Sequence, residues 1–401
     1  MKFLRTVFVF IIITFIFGTS AFAAPDKKAQ QPKLQSLREH ISLLKDLPSE
    51  MKRFKYQSGF QFEYPDAVRG IYVTGHSAGS EKFKQLIKLI ENTDLNSMVI
   101  DIKDDWGNLT YIPDNSSSYK NIGKNYIKNP TQMLKTLEEK KIYPIARIVV
   151  FKDTVLATAK PGLSFKSGSN VWVNGRGESF VNPFLQEVWD YNVEIAIEAA
   201  KMGFQEIQFD YVRFPEGFET RDKKLHYSMG NYEKLQEDDT QKRVQAVTDF
   251  IAYAKKQLEP YGVKVSVDIF GYTATLPEAP GIGQNFSKIS KHIDVISSMI
   301  YPSHWTSYFG ISKPDLEPYK LVSEYAKLES NILSSLENPP ISRPWLQDFT
   351  ATWLGKGNYK KYGKAEVEAQ IKALNDHGIN EFLLWNAGNT YSKNVDYTPG
   401  R

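Results

Sequence analysis

The chain has 401 residues, 41% of them hydrophobic and 24% charged, which is a globular composition and enough chain for one large domain or two small ones. It contains no cysteine, which excludes disulfide bonds, thiolate metal sites and a cysteine nucleophile. The formal net charge is only +4 and no basic run with interleaved aromatic residues occurs, so the sequence argues against nucleic-acid binding.

The first residues have the pattern of a secretory signal. Lys2 and Arg5 precede an apolar run from Val7 to Phe17, which is followed by a small-x-small cleavage site at Ala21-Phe22-Ala23. We therefore predict a signal peptide over residues 1–23 and a mature protein that is secreted or associated with the cell wall, without an integral membrane segment. An uncleaved anchor is the alternative, because the run is only somewhat short of the roughly 20 residues that span a bilayer.

Residues 24–66 are predicted to form a linker and a helix, followed by one domain over residues 67–401. In that domain, short apolar segments alternate with amphipathic helical patterns. The segments are "GIYVTG" from Gly70, "SMVIDIKDD" from Ser97, "YPIARIVVF" from Tyr143, "EIQFDYV" from Glu206, "VKVSVDIFGY" from Val263, "DVISSMIYPSHW" from Asp294, "RPWLQDF" from Arg343 and "EFLLWNAG" from Glu381. Apolar strands separated by helices indicate a parallel sheet. Eight such units predict a (β/α)₈ TIM barrel. A doubly wound open sheet is the alternative, which no GxGxxG or P-loop motif supports.

The C-terminal ends of the barrel strands are where chemistry is expected. In "EIQFDYVRFPEG", Asp210 and Arg213 follow the fourth apolar segment, and Pro215 then prevents further sheet pairing. The other strand ends add further polar and aromatic residues. These include His76, Asp101, Asp104, Arg147, Glu216, Asp268, Tyr301, His304, Trp305, Asp348, Trp385 and Asn386. Structural ion pairing is the alternative for any single carboxylate, and we predict that Asp101 and Arg147 form a buried supporting pair. Charges at the strand starts are predicted to be structural, namely Arg69, Glu206, Asp294 and Arg343.

The motifs "DIKDDWG", "FDYVRFP", "VDIFGY", "MIYPSHW", "PWLQDF" and "LLWNA" occur in this order. Together they resemble a glycoside hydrolase domain of secreted and wall-associated bacterial proteins, a (β/α)₈ family distantly similar to the alpha-amylase-like barrels. The resemblance extends from about Arg69 to Tyr397. It implies the barrel fold and a glycosidase reaction on a polysaccharide or cell-wall glycan.

Glycoside hydrolysis usually needs one ionised and one protonated carboxyl group. Asp210 is the candidate for the ionised group, because Arg213 nearby favours the carboxylate. Asp268 is the candidate acid, because the aromatic residues that follow it favour the protonated form.

Glu216 and Asp348 are the alternative acids. The amylase-like barrels carry a further aspartate on strand seven that distorts the substrate, and this resemblance favours Asp348 as a helper. In those barrels an arginine precedes the nucleophile, whereas here Arg213 follows Asp210.

Other residues of the same end suit a sugar ligand. Trp305, Trp353 and Trp385 offer faces for stacking on pyranose rings. Candidates for polar contacts to hydroxyl groups are His76, Asp104, Arg213, Glu216, Tyr301, His304 and Asn386. The Gly- and Ser-rich segment from Phe151 to Asn182 is too long for a simple turn, so we expect it to be functional.

Two other function classes remain open. A metal-dependent hydrolase could use His76, Asp101, Asp104 and His304, but no HExxH motif occurs, and we predict neither a metal nor a cofactor. A non-catalytic carbohydrate-binding barrel would keep the tryptophans and lose the carboxylates. Because the carboxylates are present, we favour an enzyme acting on a polysaccharide or oligosaccharide. We also expect a monomer.

Overall fold

The computed structural model describes residues 56–114 and 117–398. The predicted signal peptide and most of the predicted linker and helix therefore lie outside the described residues. Within the described ranges, no helix combines the length and apolar character that crossing a membrane requires.

Eight parallel strands form a closed barrel. They are β1 (Arg69–Val73), β2 (Ser97–Lys103), β3 (Tyr143–Val149), β4 (Glu206–Asp210), β5 (Lys264–Phe270), β6 (Val295–Met299), β7 (Ile341–Ser342 and Trp345–Gln347) and β8 (Phe382–Trp385). Each strand pairs with its successor, and β8 pairs back with β1 between Phe382 and Arg69. The (β/α)₈ prediction is confirmed, and the open-sheet alternative is wrong because both edges of the sheet are joined.

Helices occupy the connections between the strands. They are α1 (Gly75–Ala78), α2 (Glu81–Glu91), α3 (Pro130–Glu139), α4 (Thr154–Ala159), α5 (Gln186–Met202), α6 (Asp239–Leu258), α7 (Phe286–Ser290), α8 (Pro318–Ser334) and α9 (Lys364–Asn375). The longer helices bury one stripe, as α2 does with Leu86, Ile87 and Ile90. Their apolar faces and the outward side chains of the strands form the larger hydrophobic core, while a smaller core fills the barrel.

The N-terminal end of the barrel is closed by a buried charge network. Arg343 binds Glu206 through Nη1 and Glu381 through Nε, both at 2.7 Å. The hydroxyl of Tyr64 accepts a hydrogen bond from Nη2 of the same arginine at 2.8 Å. Arg343 and Glu206, which we predicted to be structural, thus contact each other within this buried network. Tyr64 also extends the barrel domain into the range predicted as linker.

The long segment after β3 carries α4 and a small hairpin, Lys166–Ser167 with Asn170–Val171. The hairpin exchanges backbone hydrogen bonds with the segment that follows β4, between Lys166 and His226. The Phe165 ring packs on Phe218, with ring centroids 4.8 Å apart. The connections after β3 and β4 therefore form one layer beside the C-terminal end of the barrel.

Candidate active site

Strands β2 to β5 each deliver a charged side chain to the barrel interior near their C-terminal ends. We call these residues and one neighbour the carboxylate cluster, which comprises Asp101, Asp105, Arg147, Asp210 and Asp268. Parallel strands end at the same edge of a sheet, so the side chains meet in one place. All of them except Asp105 are at most 4% exposed.

Arg147 is the centre of the cluster. Its Nη1 binds Asp101 at 2.7 Å and Asp105 at 3.4 Å. Its Nε and Nη2 both donate to Oδ2 of Asp210, at 2.9 and 2.6 Å. The predicted pair of Asp101 and Arg147 is thus present, but the guanidinium is shared by three carboxylates. It lies 5.5 Å from the ring of Tyr72 and 5.4 Å from that of Trp385, which fix its plane.

The two oxygens of Asp210 are in different surroundings. Oδ2 carries both contacts from Arg147, whereas Oδ1 accepts the backbone N–H of Tyr211 at 2.6 Å. The carboxylate is therefore held by three charge-assisted hydrogen bonds, which favour the ionised form. Oδ1 is free of the guanidinium and keeps a lone pair for a reacting atom.

Tyr211 adopts the left-handed backbone conformation, with φ of 52°. This conformation costs a bulky residue about 1–3 kcal/mol. Its ring lies 3.9 Å from Nζ of Lys152 and 4.7 Å from the guanidinium of Arg213. Contacts of this kind contribute about 0.5–2 kcal/mol each, so together they can offset the backbone strain.

Asp268 is in the opposite environment to Asp210. Its Oδ1 accepts the indole N–H of Trp345 at 2.8 Å, and no ion pair with a described residue reaches it. Burial raises the pKa of Asp268 well above the usual carboxyl range, and the negative charge of Asp210 raises it further. The surroundings of Asp268 therefore favour its neutral form.

Asp210 and Asp268 lie at the same level on neighbouring strands. Phe209 of β4 pairs with Val267 of β5, so the two aspartates occupy the next position of each strand. Neighbouring strands are about 4.7–4.9 Å apart. The carboxyl groups of Asp210 and Asp268 are thus adjacent inside the barrel, in different surroundings.

Asp105 connects the cluster to the surface. Burial raises its pKa, but the charges of Arg147 and Lys152 outweigh burial and bring the pKa to about 2. Oδ1 binds Lys152 at 2.7 Å, and the side chain keeps 36% of its surface exposed. Lys152 also approaches Glu178 at 3.3 Å. Among the described members of the carboxylate cluster, Asp105 alone has a side chain with a sizeable exposure to solvent.

Arg213 does not pair with Asp210 as the sequence led us to expect. Its Nη2 binds Glu216 at 3.1 Å, and its guanidinium lies over the rings of Tyr211 and Phe270. The cation on Asp210 is Arg147, because β3 brings that side chain into the barrel beside β4. Glu216 is 70% exposed, so it lacks the apolar environment that the acid role requires.

Asp348 is held by the chain segment after β8. Its oxygens accept the hydroxyl of Ser392 at 2.6 Å and the backbone N–H of Ser392 at 2.9 Å. Asn386 donates to the backbone carbonyl of Asp348 and accepts the N–H of Gly388. Within residues 56–114 and 117–398, neither an ion pair nor a hydrogen bond joins Asp348 to the carboxylate cluster. The structure therefore gives this aspartate a loop-fixing environment.

The predicted sugar-stacking residues differ in exposure. Trp385 stacks on Tyr72 with centroids 4.0 Å apart, and Trp305 packs against Tyr325 at 5.9 Å. Trp353 is 63% exposed, so its face is open. Trp385 and Trp305 offer a ligand less surface than the sequence suggested.

Trp106 is 50% exposed and was missed in the sequence. It lies in a turn built by Asp104, whose Oδ1 accepts the N–H groups of Trp106, Gly107 and Asn108 at 2.9–3.0 Å. We predicted that Asp104 contacts substrate. In the structure, its Oδ1 instead accepts the backbone hydrogen bonds of this turn.

The remaining predicted polar contacts lie around the mouth. Tyr301 is buried, with its ring 5.2 Å from that of exposed His304. The ring of His76 lies on Tyr126, 3.7 Å between centroids, outside the carboxylate cluster. Across the described ranges, no group of histidine, aspartate and glutamate side chains is arranged to hold a metal ion.

Two surface cavities lie away from the cluster. One of about 540 Å³ lies beside α6 and is lined by Tyr232, Gln241 and Asp249, among others. Another of about 450 Å³ lies between the segment after β4 and the start of α6. Neither is lined by a residue of the carboxylate cluster, so we assign the candidate site by its chemistry.

The contact between Arg147 and Asp210 could have been found in the sequence. In the predicted barrel, β3 lies between β2 and β4, and both neighbours carry an aspartate at or near their C-terminal ends. An arginine in a buried strand is then within reach of both carboxylates. By contrast, no sequence pattern marks the left-handed backbone of Tyr211 or the position of Lys152 over its ring.

Several solved structures are similar to parts of this chain. The glycoside hydrolase domain of PgaB (BpsB) from Bordetella bronchiseptica is 14% identical, with a TM-score of 0.55 and coverage of 80% of this chain and 95% of that one. A hypothetical protein from Ruminiclostridium thermocellum is 34% identical, with a TM-score of 0.42 and coverage of 49% of this chain and 96% of that one. An alpha-amylase from Lactobacillus plantarum is 12% identical, with a TM-score of 0.48 and coverage of 80% and 71%. No curated protein sequence matches the chain.

A family model described as "Putative glycosyl hydrolase domain" matches residues 70–391. These residues extend from Gly70 of β1 past the end of β8 and include all of the carboxylate cluster. Because the match covers well over half of the chain, the protein belongs to this glycosyl hydrolase domain family.

Proposed function

We propose that the protein is a secreted glycoside hydrolase that cleaves a polysaccharide or cell-wall glycan with Asp210 and Asp268. The observation that carries this proposal is the difference between two aspartates at the same level of neighbouring strands. Arg147 and an N–H group surround Asp210, whereas Asp268 is buried beside an indole N–H. A glycosidase needs this combination of an ionised and a protonated carboxyl group.

The adjacent placement favours a retaining reaction. Carboxyl groups about 5–5.5 Å apart are typical of retaining enzymes, and the backbones of neighbouring strands are about 4.7–4.9 Å apart. Oδ1 of Asp210 would attack the anomeric carbon while Asp268 gives its proton to the leaving oxygen. Asp268, now ionised, would then take a proton from the water that releases the sugar from Asp210.

Other residues supply the environment for these steps. Arg147 stabilises the negative charge of Asp210 before the attack and again when the sugar leaves. The exposed faces of Trp106 and Trp353 are available to sugar rings. The related PgaB domain is described as a glycoside hydrolase domain, which agrees with this reaction class.

Release of reducing ends by the mature protein, across a panel of bacterial and plant polysaccharides, tests the proposal. We expect the wild type to act on at least one member of the panel and Asp210→Asn to lose essentially all activity while keeping its melting temperature. Proton NMR of the first product should show the anomeric configuration of the substrate. Binding without cleavage by the wild type would instead support a non-catalytic carbohydrate-binding protein. Full activity of Asp210→Asn would remove the basis of the proposed mechanism.

A further inference from the structure

The residue that follows Asp210 has an unusual combination of side chain and backbone. Tyr211 has φ of 52°, a conformation that glycine adopts freely and that asparagine tolerates better than other residues. A tyrosine at such a position pays a conformational cost that a smaller residue would avoid. The ring therefore has to contribute something that glycine and asparagine cannot.

The backbone of Tyr211 holds Asp210 directly. Its N–H points back to Oδ1 of the preceding aspartate at 2.6 Å, and its carbonyl accepts the N–H of Phe151 at 3.3 Å. The carbonyl of Asp210 accepts the N–H of Val150 at 2.9 Å. The N–H groups of Val150 and Phe151, which follow β3, thus hold the carbonyls of Asp210 and Tyr211. The left-handed backbone of Tyr211 lets the chain turn away while its own N–H faces Oδ1 of Asp210, the oxygen that does not contact Arg147.

The ring of Tyr211 is fixed by two cations. Nζ of Lys152 lies 3.9 Å from its centroid, and the guanidinium of Arg213 lies 4.7 Å away. Each cation is itself held by an acid, Lys152 by Asp105 at 2.7 Å and Arg213 by Glu216 at 3.1 Å. The ring is therefore attached to the connections after β2, β3 and β4.

We propose that Tyr211 is a positioning residue for Asp210. Its ring, bound by Lys152 and Arg213, keeps the backbone left-handed, and the N–H so directed orients Oδ1 and stabilises its charge. The inference rests on the proposed function for its catalytic consequence. Its structural part, the hydrogen bond from the Tyr211 N–H to Oδ1 of Asp210, can be measured without a substrate.

Substitutions at position 211 separate the backbone from the ring. Tyr211→Asn removes the ring but tolerates the left-handed conformation, whereas Tyr211→Val is β-branched and disfavours it strongly. We expect Tyr211→Val to lower kcat about 100-fold with little change in KM, as for a displaced catalytic group. Tyr211→Asn should keep kcat near the wild-type value, because its backbone still presents the N–H to Oδ1 of Asp210.

The chain offers a matched control in Phe309, another aromatic residue with a left-handed backbone, at φ of 50°. It lies after β6 and packs against Trp305 and Tyr308. Phe309→Val pays a similar backbone cost, so its melting temperature should fall as much as that of Tyr211→Val. Its kcat and KM should match those of the wild type. If Tyr211→Val does not fold, Tyr211→Leu, which lacks the ring but is not β-branched, replaces it with the same expected direction.

Carbon-13 NMR of labelled aspartate makes the test independent of turnover. The Asp210 carboxyl signal, assigned by its absence in Asp210→Asn, should move to a different chemical shift in Tyr211→Val, because the carboxylate loses the N–H contact to Oδ1. It should keep the wild-type chemical shift in Tyr211→Asn and Phe309→Val. An unchanged chemical shift in Tyr211→Val or its leucine replacement overturns the positioning role. If the wild type cleaves no glycan but the chemical shift changes in Tyr211→Val, the proposed function has failed and the positioning role stands.

Discussion

At the scale of single residues, the properties of the site depend on which carboxylates contact the guanidinium of Arg147. Arg147 faces Asp101, Asp105 and Asp210, so the positive charge is outnumbered and each carboxylate receives only part of it. Asp268 receives no such contact and is left beside Trp345. The two catalytic candidates therefore differ because Arg147 reaches β4 and does not reach β5.

The acid role of Asp268 predicts a dependence on the leaving group. An activated aryl glycoside has a leaving group that needs no protonation, so Asp268→Asn should still release it in the first step. Natural polysaccharide should not be cleaved. Release of nitrophenol in a burst, compared with reducing-end release from the polysaccharide, measures the difference. Asp348→Asn and Glu216→Gln serve as controls, and the selective pattern in either one would reassign the acid.

At the scale of elements, helix α8 carries a fully buried carboxyl group. Glu329 of α8 is fully buried and accepts the hydroxyl groups of Ser298 on β6 at 2.8 Å and Ser342 on β7 at 2.6 Å. Burial raises the pKa of Glu329. The carboxyl group joins the helix to two neighbouring strands at the position where β7 is interrupted before Trp345.

This environment predicts a pH-dependent contribution to stability. Because the folded pKa is raised, Glu329 contributes fully below its unfolded pKa of about 4.3, and the contribution is lost as pH rises through the folded value. Glu329→Gln cannot ionise and can still bond both hydroxyl groups. The melting temperature of the variant relative to the wild type should therefore rise as the pH increases above the unfolded pKa. A constant difference across that range would show that Glu329 does not titrate there. Glu324→Gln, at an exposed position of the same helix, is the control.

How far the sequence predicts these features depends on the range of the interaction. Apolar runs and helical stripes are local patterns, so all eight strands were predicted, including Trp345 in the seventh. The pairing of Asp101 with Arg147 followed from strand order. The partner of Asp210 was misassigned to Arg213, because separation along the chain is a poor guide when parallel strands bring residues from different segments together. Backbone conformations such as that of Tyr211 depend on contacts that no local pattern contains.

At the scale of the whole molecule, the barrel is closed at both ends by an arginine with buried acidic partners. Arg343 joins β7 to β4 and β8 at the N-terminal end, whereas Arg147 joins β3 to β2 and β4 at the C-terminal end. Both side chains are at most 1% exposed. In TIM barrels the N-terminal end is generally associated with stability and the C-terminal end with catalysis. The two arginines therefore allow the same substitution to be compared at the two ends.

Replacing either arginine by methionine leaves buried carboxylates without their cation, which typically costs about 3–5 kcal/mol. Both Arg343→Met and Arg147→Met should therefore lower the melting temperature, by roughly 10 °C in a domain of this size. Below its melting transition, Arg343→Met should keep the kcat of the wild type, because its partners Glu206 and Glu381 lie at the opposite end from the carboxylate cluster. Arg147→Met should lose kcat about 100-fold or more, since Asp210 then lacks both contacts to Oδ2. Thermal unfolding followed by fluorescence, with kcat measured well below both transitions, separates the two effects. Equal losses of kcat in the two variants would mean that Arg147 acts on the reaction only through the stability of the barrel.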